Sequence, residues 1–375
     1  VNAYYVKIFQ WQLVDKTNIE LQQFFREYTN NVKYSEKDID LQALFNLINY
    51  SEQNNNKLII DSYKPINSGT ISVVFKGKLN DTPIAIKMLR KNIKNEILDC
   101  LQLTNFFIMI INNLNWLFNS NIKINNVIEN IENCLIEQCD FNKEVSNLEL
   151  FYESYKKTTD IIIPRVYKEY TDHNNNIIVM DYLDGKNLHD LNKNEIDVYS
   201  KIFNKYIITS LLIKKLFNMD FHSGNIIFME KDEKYSIGII DFGMIKKLNS
   251  CEYNFMNNLF YALIQENYEN LFRTIVTKCI FTENNKQMYK LITDLLVEKK
   301  NKNEILIDGY LKNSDFEIIL KTIYKHIDKN SYVKKDMLEL LLALISNLNV
   351  LQILTNNLPL PKIYKKYLIP DKLSI

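Results

Sequence analysis

The stretch Asp220-Phe221-His222-Ser223-Gly224-Asn225, followed by the apolar run Ile226 to Met229 and later by Asp241-Phe242-Gly243, decides how this chain reads. Two carboxylates and one amide stand at the ends of two apolar strands joined by a polar turn. Such groups are hard oxygen ligands, suited to Mg²⁺ bound to a triphosphate. Asp220 and Asn225 lie five apart, so Asp220 is the candidate to orient an acceptor, and Asn225 and Asp241 are the candidate metal ligands. An isolated Asp-Phe-Gly occurs often by chance, and order along the chain is what gives this one weight.

Three further elements precede it in a fixed order. The loop Pro65-Ile66-Asn67-Ser68-Gly69-Thr70-Ile71 sits between two strands, and its small residues, Asn67 to Ile71, can bring backbone N–H groups against phosphates. The next strand holds Ile84-Ala85-Ile86-Lys87, where Lys87 can neutralise phosphate charge. A helical run carries Asp140-Phe141-Asn142-Lys143-Glu144, with Asn147 one turn further on. Asp140 and Glu144 share a helix face, so one can pair with Lys87 while the other faces metal or substrate. Between these and Asp220, an apolar strand leads through Met180, Asp181, Tyr182 and Leu183 to Gly185, a hinge able to offer backbone groups to an adenine edge. Taken singly, each element has a plainer reading: a hairpin, an outward lysine, a solvated helix face, a strand-to-helix turn. The ordered set outweighs them. Lys87 and Asp241 are expected to be solvated in an open cleft before nucleotide binds.

Composition narrows the classes. A length of 375 residues exceeds the usual single domain, and two lobes or one large domain are the options. With 46 Lys+Arg against 45 Asp+Glu, no global field selects nucleic acid or anionic lipid, and no nucleic-acid partner is expected. Hydrophobic residues at 46% and aromatics at 12% exclude a disordered chain. There are only 7 glycines, so each is expected where a side chain does not fit, and Gly69, Gly185, Gly224 and Gly243 fall in the motifs above. Five scattered cysteines without metal spacing favour an intracellular, reducing compartment over a zinc site. No signal-peptide pattern is found. The apolar windows Phe106 to Phe118 and Leu340 to Leu354 are interrupted by Asn and read as buried or interfacial helices.

Periodicity orders the rest. Residues 1 to 50 read as helical; Leu58 to Ser62, Thr70 to Leu79 and Ile84 to Leu89 read as a three-stranded meander with a turn at Asn80 to Pro83. A long helical pattern runs from Arg90 to about Lys157. Short strands follow at Ile161 to Tyr167, Asn176 to Asp181, Asn225 to Met229 and Ile237 to Asp241, and helix dominates from about Cys251 to Tyr367.

On these residues the chain resembles the UbiB family of atypical protein-kinase-like proteins, also called aarF-domain or ADCK kinases. The family's alanine-rich nucleotide loop is similar to Asn67 to Ile71, its lysine strand to Ile84-Ala85-Ile86-Lys87, and its helical Asp-x3-Glu-x2-Asn run to Asp140, Glu144 and Asn147. The catalytic loop resembles Asp220 to Asn225, and Asp-Phe-Gly-Met-Val is similar to Asp241 to Ile245. Val6-Lys7-Ile8-Phe9-Gln10 resembles the family's Lys-x-Gly-Gln helix, which implies a lid over the active site carried by Lys7 and Gln10. The chain departs from the pattern at Phe9 for Gly, at Gln138 for Glu and at Ser223 for Pro, and Gly69 replaces an alanine, which is expected to loosen the loop.

The resemblance implies an α+β, two-lobe, protein-kinase-like fold. The expected parts are an N-terminal helical extension over 1–57, an N-lobe with a small antiparallel sheet and a long helical insert over 58–183, and a mostly helical C-lobe over 184–375. It implies ATP and Mg²⁺ as cofactors, with catalysis by Asp220, Lys87 and Glu144, and a role in coenzyme Q or isoprenoid-lipid metabolism. The chain after Gly243 passes almost directly into helix and lacks Ala-Pro-Glu, so a small or lipid-like acceptor, or water, is expected rather than a peptide. Peripheral membrane association or membership of a lipid-biosynthesis complex goes with this reading. The alternative is a nucleotide-binding pseudokinase that serves as a scaffold; oligomeric state is open.

Overall fold

A computed structural model describes residues 32–104, 135–283, 285–328, 330–355, 358 and 360–367. Along the described residues the strands are β1 (Leu58–Ile60), β2 (Asn67–Ser68), β3 (Ser72–Leu79), β4 (Thr82–Leu89), β5 (Ile161–Ile162), β6 (Ile177–Asp181), β7 (Leu216–Asn218), β8 (Ile226–Lys231), β9 (Lys234–Ile239), β10 (Ile245–Lys247), β11 (Ile280–Phe281) and β12 (Tyr332–Val333). The principal helices are α1 (Leu41–Gln53), α2 (Phe141–Tyr155), α3 (Lys168–His173), α4 (Lys193–Ile208), α5 (Ser250–Ile264), α6 (Tyr268–Cys279), α7 (Lys286–Asn301), α8 (Asn313–His326) and α9 (Lys335–Leu354). They fall into two compact units. One comprises Val1–Glu153, Pro164–Leu183 and Asp241–Met244, the other Ser154–Ile163, Asp184–Ile240 and Ile245–Ile375.

In the first unit an antiparallel sheet runs in the order β1-β3-β4-β6, with β2 folded back onto β3. The expected meander is present and gains β6 as a neighbour of β4. Its β3–β4 turn is tighter than expected: Asn80 and Asp81 alone make it, both at positive φ, and β4 starts at Thr82. Asn and Asp tolerate that left-handed backbone, and two such residues match the strand twist. Alternation along β4 sends Ile84, Ile86 and Met88 into a core with Leu44, Leu47, Val73, Phe75 and Val179. The opposite face, bearing Ala85, Lys87 and Leu89, looks toward a second cluster that includes Phe141 and Val145 of α2.

Helix α1 opens with Asp40, whose side chain accepts from Ala43 N–H, and buries Leu44, Leu47 and Ser51 against the sheet. It is therefore part of the first unit, where a separate extension ending at residue 57 was expected. The boundary expected at 183 also acquires exceptions, because residues 154–163 join the second unit and 241–244 the first. The long helical pattern is interrupted: residues 93–104 are helical, and α2 begins afresh at Phe141 after Asp140.

The second unit contains the β8–β9 hairpin with β5 parallel to β9, the β7–β10 ribbon, and helices α4 to α9. The strand expected over Ile161 to Tyr167 shrinks to β5, and Val166 instead bridges Met180 in the first unit. Helix α9 is long and apolar enough to cross a membrane, yet 61% of its most apolar window is buried in the fold. Within it Asn347 is buried and donates to the Asn218 and Ala343 carbonyls, so α9 acts as a core helix.

Candidate functional site

Lys87 and Glu144 are buried, 8% and 3% exposed. The Lys87 Nζ donates to Glu144 Oε1 at 2.5 Å and to Asp241 Oδ2 at 3.1 Å. The strand period aims Lys87 at α2, and the helix period brings Glu144 round to meet it. Burial alone would lower the Lys87 pKa, but the charges of Asp241 and Glu144 outweigh it and hold the ammonium above its usual range. Burial pushes the Glu144 carboxyl up, opposed by Lys87. The expectation that Lys87 is solvated is thus overturned: it lies in a buried ion pair with a second carboxylate at its edge.

Helix α2 also grips the Asp241-Phe242-Gly243 segment. Glu144 accepts a backbone hydrogen bond from Phe242, and Asn147 Nδ2 donates to the Phe242 carbonyl at 2.9 Å. Two residues one turn apart therefore hold one residue by its N–H and its C=O. Phe242 is fully buried with its ring 5.1 Å from Phe151, and Gly243 N–H donates to Asp241 Oδ1 at 3.0 Å. Gln138 donates to the Met244 sulfur. Asp140 precedes α2 and accepts from Lys143 N–H, an N-cap role.

The loop Asn67 to Ile71 forms a hairpin closed by Gly69 N–H to the Ser72 carbonyl at 2.8 Å. Ser68 and Ile71 are buried, so among the five candidates Asn67, Gly69 and Thr70 are the accessible ones. A Cβ on Gly69 would find its nearest neighbour at 3.5 Å, an ordinary contact, so this glycine is not required by space. Gly77 and Gly185 are: a Cβ there would lie 2.3 Å from the Ile59 carbonyl oxygen and 2.5 Å from that of Phe228.

At the hinge, Met180 pairs with Ala85 and Asp181 with Ile84. The N–H of Asp181 donates to Arg165 and that of Tyr182 to Pro83, so neither is available to an adenine edge. The Asp181 carboxylate accepts from Tyr167 Oη at 2.9 Å and from Arg165 N–H at 3.1 Å. Met180 is likewise paired to β4, which leaves Leu183 as the hinge candidate.

In the second unit, Asp220 is half-buried and Asn225 is 7% exposed. Asn225 Nδ2 donates to the Asp220 carbonyl at 3.1 Å, which leaves its Oδ1 as the oxygen for a cation. His222 takes the Gly224 N–H on Nδ1 and the Asn225 N–H on its carbonyl, shaping the turn. Phe221 is fully buried against Phe203 and Tyr206. Ser346 of α9 donates to the Phe221 carbonyl. Asn225 and Asp241 each carry a hard oxygen donor of the kind a divalent cation takes; no cluster of three or more His, Cys, Asp or Glu suited to a metal exists among the described residues. Lys7 and Gln10 lie outside the described residues.

Sequence reasoning missed Arg90, which binds the small-residue loop, and the α9 polar pair Ser346 and Asn347, which holds the Asp220 loop. The signal for the second was in the sequence: asparagines interrupting an otherwise apolar window.

A small antiparallel sheet whose lysine is paired by a helical glutamate, with an Asp-x4-Asn loop and an Asp-Phe-Gly segment after it, defines a protein-kinase-like fold. The sequence profile of the ABC1 atypical kinase-like domain matches residues 41–275, and the chain belongs to this family, as its resemblance to the UbiB and aarF proteins implied. It is 26% identical over 223 residues to an uncharacterized aarF domain-containing protein kinase of Arabidopsis thaliana, described as chloroplastic, covering 56% of this chain and 40% of that protein. With AarF domain-containing kinase 1 of Drosophila melanogaster it shares 24% identity over 249 residues, 62% of this chain and 46% of the relative. The chain thus spans less than half the length of these relatives. The Mycobacterium tuberculosis protein Rv3197, solved in complex with erythromycin, superposes with a TM-score of 0.52 over 83% of this chain and 79% of its own, at 15% identity. That likeness concerns the fold alone.

Proposed function

We propose that this chain is a Mg-ATP-dependent phosphotransferase or ATPase whose acceptor is a small or lipid-like molecule, or water. The observation that carries the reading is the buried Lys87 ammonium held between Glu144 at 2.5 Å and Asp241 at 3.1 Å. A buried lysine kept charged by two carboxylates is a costly arrangement for structure alone, since apolar residues of the same volume would pack there without a desolvation penalty. Its use is to present a fixed positive charge to the α- and β-phosphates of a nucleotide. Glu144 sets the direction of the ammonium, and Asn147 sets the Phe242 peptide and hence the Asp241 carboxylate.

Asn225 and Asp241 are the residues that would hold Mg²⁺, which when bound neutralises charge on the β- and γ-phosphate oxygens. Asp220 accepts the proton of the acceptor hydroxyl or of water as it attacks. The adenine edge would be met by Leu183, and the phosphates by the Thr70 end of the small-residue loop, since the Gly69 N–H and carbonyl are taken by Ser72 and Arg90. Helix α5 begins at Ser250, with β10 as the only element between it and Gly243, so there is little chain there to seat a peptide. This supports a small or lipid-like acceptor. We also propose a role in coenzyme Q or isoprenoid-lipid metabolism, at a membrane surface or in a biosynthetic complex, a reading supported by membership of the ABC1 family.

The test is ADP formation by the purified chain with Mg-ATP, with and without isoprenoid lipid, beside a thermal-shift titration. Nucleotide-dependent stabilisation with ADP formed that disappears in Asp241→Asn is expected. Stabilisation with no ADP under any condition would replace the enzyme by a pseudokinase scaffold, and no stabilisation would remove nucleotide binding itself.

A further inference from the structure

Arg90, the first residue after β4, is largely buried and divides its donors between the small-residue loop and the segment before α1. Its Nε and Nη2 both donate to the Gly69 carbonyl, at 3.1 and 2.9 Å, and Nη2 donates to Ser68 Oγ at 2.8 Å. Its own backbone N–H donates to the Ile71 carbonyl at 2.9 Å. On the other side Nη1 meets Asp38 Oδ2 at 3.1 Å, and Nη2 reaches the Val32 carbonyl at 3.3 Å. The Val32 N–H donates to the Ser68 carbonyl at 2.6 Å, and Lys91 N–H to the Asp38 carbonyl at 2.8 Å. Asp38 is itself held by Ser35, whose N–H it accepts at 2.7 Å.

We infer that Arg90 is the positioning residue of the nucleotide loop, latching Ser68 and Gly69 to the segment Val32–Asp38 that leads into α1. This rests on the reading of that loop as a phosphate cradle. A glycine in a small-residue hairpin would by itself loosen it, yet here both carbonyl and side-chain groups of the loop are taken by one guanidinium. Only a planar fork of donors can span the Gly69 carbonyl, Ser68 Oγ and Asp38 together; a lysine ammonium offers charge without that reach. Because the Gly69 carbonyl is turned to Arg90, the peptide's other end is fixed in direction, which is what a backbone phosphate site needs. Arg90 touches no reacting atom and would act through the loop, so its effect belongs on nucleotide affinity and not on the chemical step.

The experiment compares the full-length chain with Arg90→Ala, Arg90→Lys and Asp38→Asn by amide hydrogen exchange without nucleotide, and by ATP kinetics or Mg-ATP titration. Exchange in peptides covering 65–72 and 32–38 should rise at least about tenfold in both Arg90 variants, the weight of one or two lost charge-assisted bonds, while peptides of β8 and β9 stay unchanged. KM or Kd for ATP should rise about tenfold with kcat held within about twofold. Asp38→Asn should loosen 32–38 more than 65–72. If Arg90→Ala does not fold, Arg90→Lys and Asp38→Asn carry the same readouts. Unchanged exchange in the loop, or an Arg90→Lys variant indistinguishable from the parent, overturns the latch. Should the parent bind no nucleotide, the phosphate-cradle reading falls while the exchange data still decide the latch.

Discussion

Replacing Lys87 by Met removes the charge while keeping the length and most of the volume, so the cavity term is small. What is left behind is Glu144, 3% exposed, and Asp241, whose side chain is 36% exposed and stays partly solvated. Breaking a buried pair by removing one partner usually costs about 3–5 kcal/mol. Here a ceiling applies. Glu144 can escape by taking a proton, at about 1.36 kcal/mol for each unit between its pKa and the solution pH. Its pKa is already raised above 4.5 by burial, so at pH 7 the escape costs less than about 3.4 kcal/mol. A loss of about 2–3 kcal/mol is therefore expected at pH 7. The sign of its pH dependence follows. A carboxyl whose folded pKa lies above its unfolded value loses stability as pH rises between the two, and removing Lys87 widens that window. The deficit of Lys87→Met relative to the parent should thus shrink as pH falls from 7 toward about 5, and adding Glu144→Gln to Lys87→Met should recover most of it at pH 7. Urea unfolding followed by circular dichroism reads all of this. A deficit that is absent at pH 7, or independent of pH and unrelieved by Glu144→Gln, would refute the buried-pair account.

Asp220→Asn should leave Mg-ATP binding intact and lower kcat by about 10²–10⁴, because the amide keeps shape but accepts no proton; steady-state ADP release checks it, and unchanged turnover removes Asp220 from the mechanism. Gly69→Ala should fold and melt like the parent, whereas Gly77→Ala and Gly185→Ala should each lose about 1–3 kcal/mol, since their methyl groups would meet backbone carbonyls at 2.3 and 2.5 Å. Thermal melts of the three separate the cases. Asn347→Leu strands the buried Asn218 carbonyl side of the Asp220 loop and should cost about 1–3 kcal/mol, with the loop's amide exchange rising.

Much of the fold was legible because period and punctuation were. In the structure the alternation of Ile84, Ile86 and Met88 sets the core face of β4 and leaves Lys87 on the other; helical spacing offered Asp140 and Glu144 alike as its partner, and the bond at 2.5 Å chooses Glu144. The capping part played by Asp140 was not legible, because an acidic residue just before a helix has the same spacing whether it caps or faces a ligand; its bond to Lys143 N–H shows that it caps. Burial of Lys87 was not legible, since a strand lysine gives no sign of how many apolar residues a helix 57 positions later will lay over it. The glycine argument held where backbone approaches backbone, at Gly77 and Gly185, and failed at Gly69, where low glycine usage had been taken to imply a steric need. Arg90 was invisible for a different reason: most of its partners are backbone carbonyls of the loop and of residues 32 and 33, and its side-chain partners Ser68 and Asp38 lie 22 and 52 positions away.

The Lys87, Glu144 and Asp241 constellation is proposed to hold Mg-ATP. Calorimetric titration of Mg-ATP into the parent and into the Lys87→Met/Glu144→Gln double variant tests it most directly, because the double variant is expected to keep its fold. One nucleotide bound per parent chain and none measurable in the double variant is the predicted result; equal binding by both, or none by the parent, would contradict it.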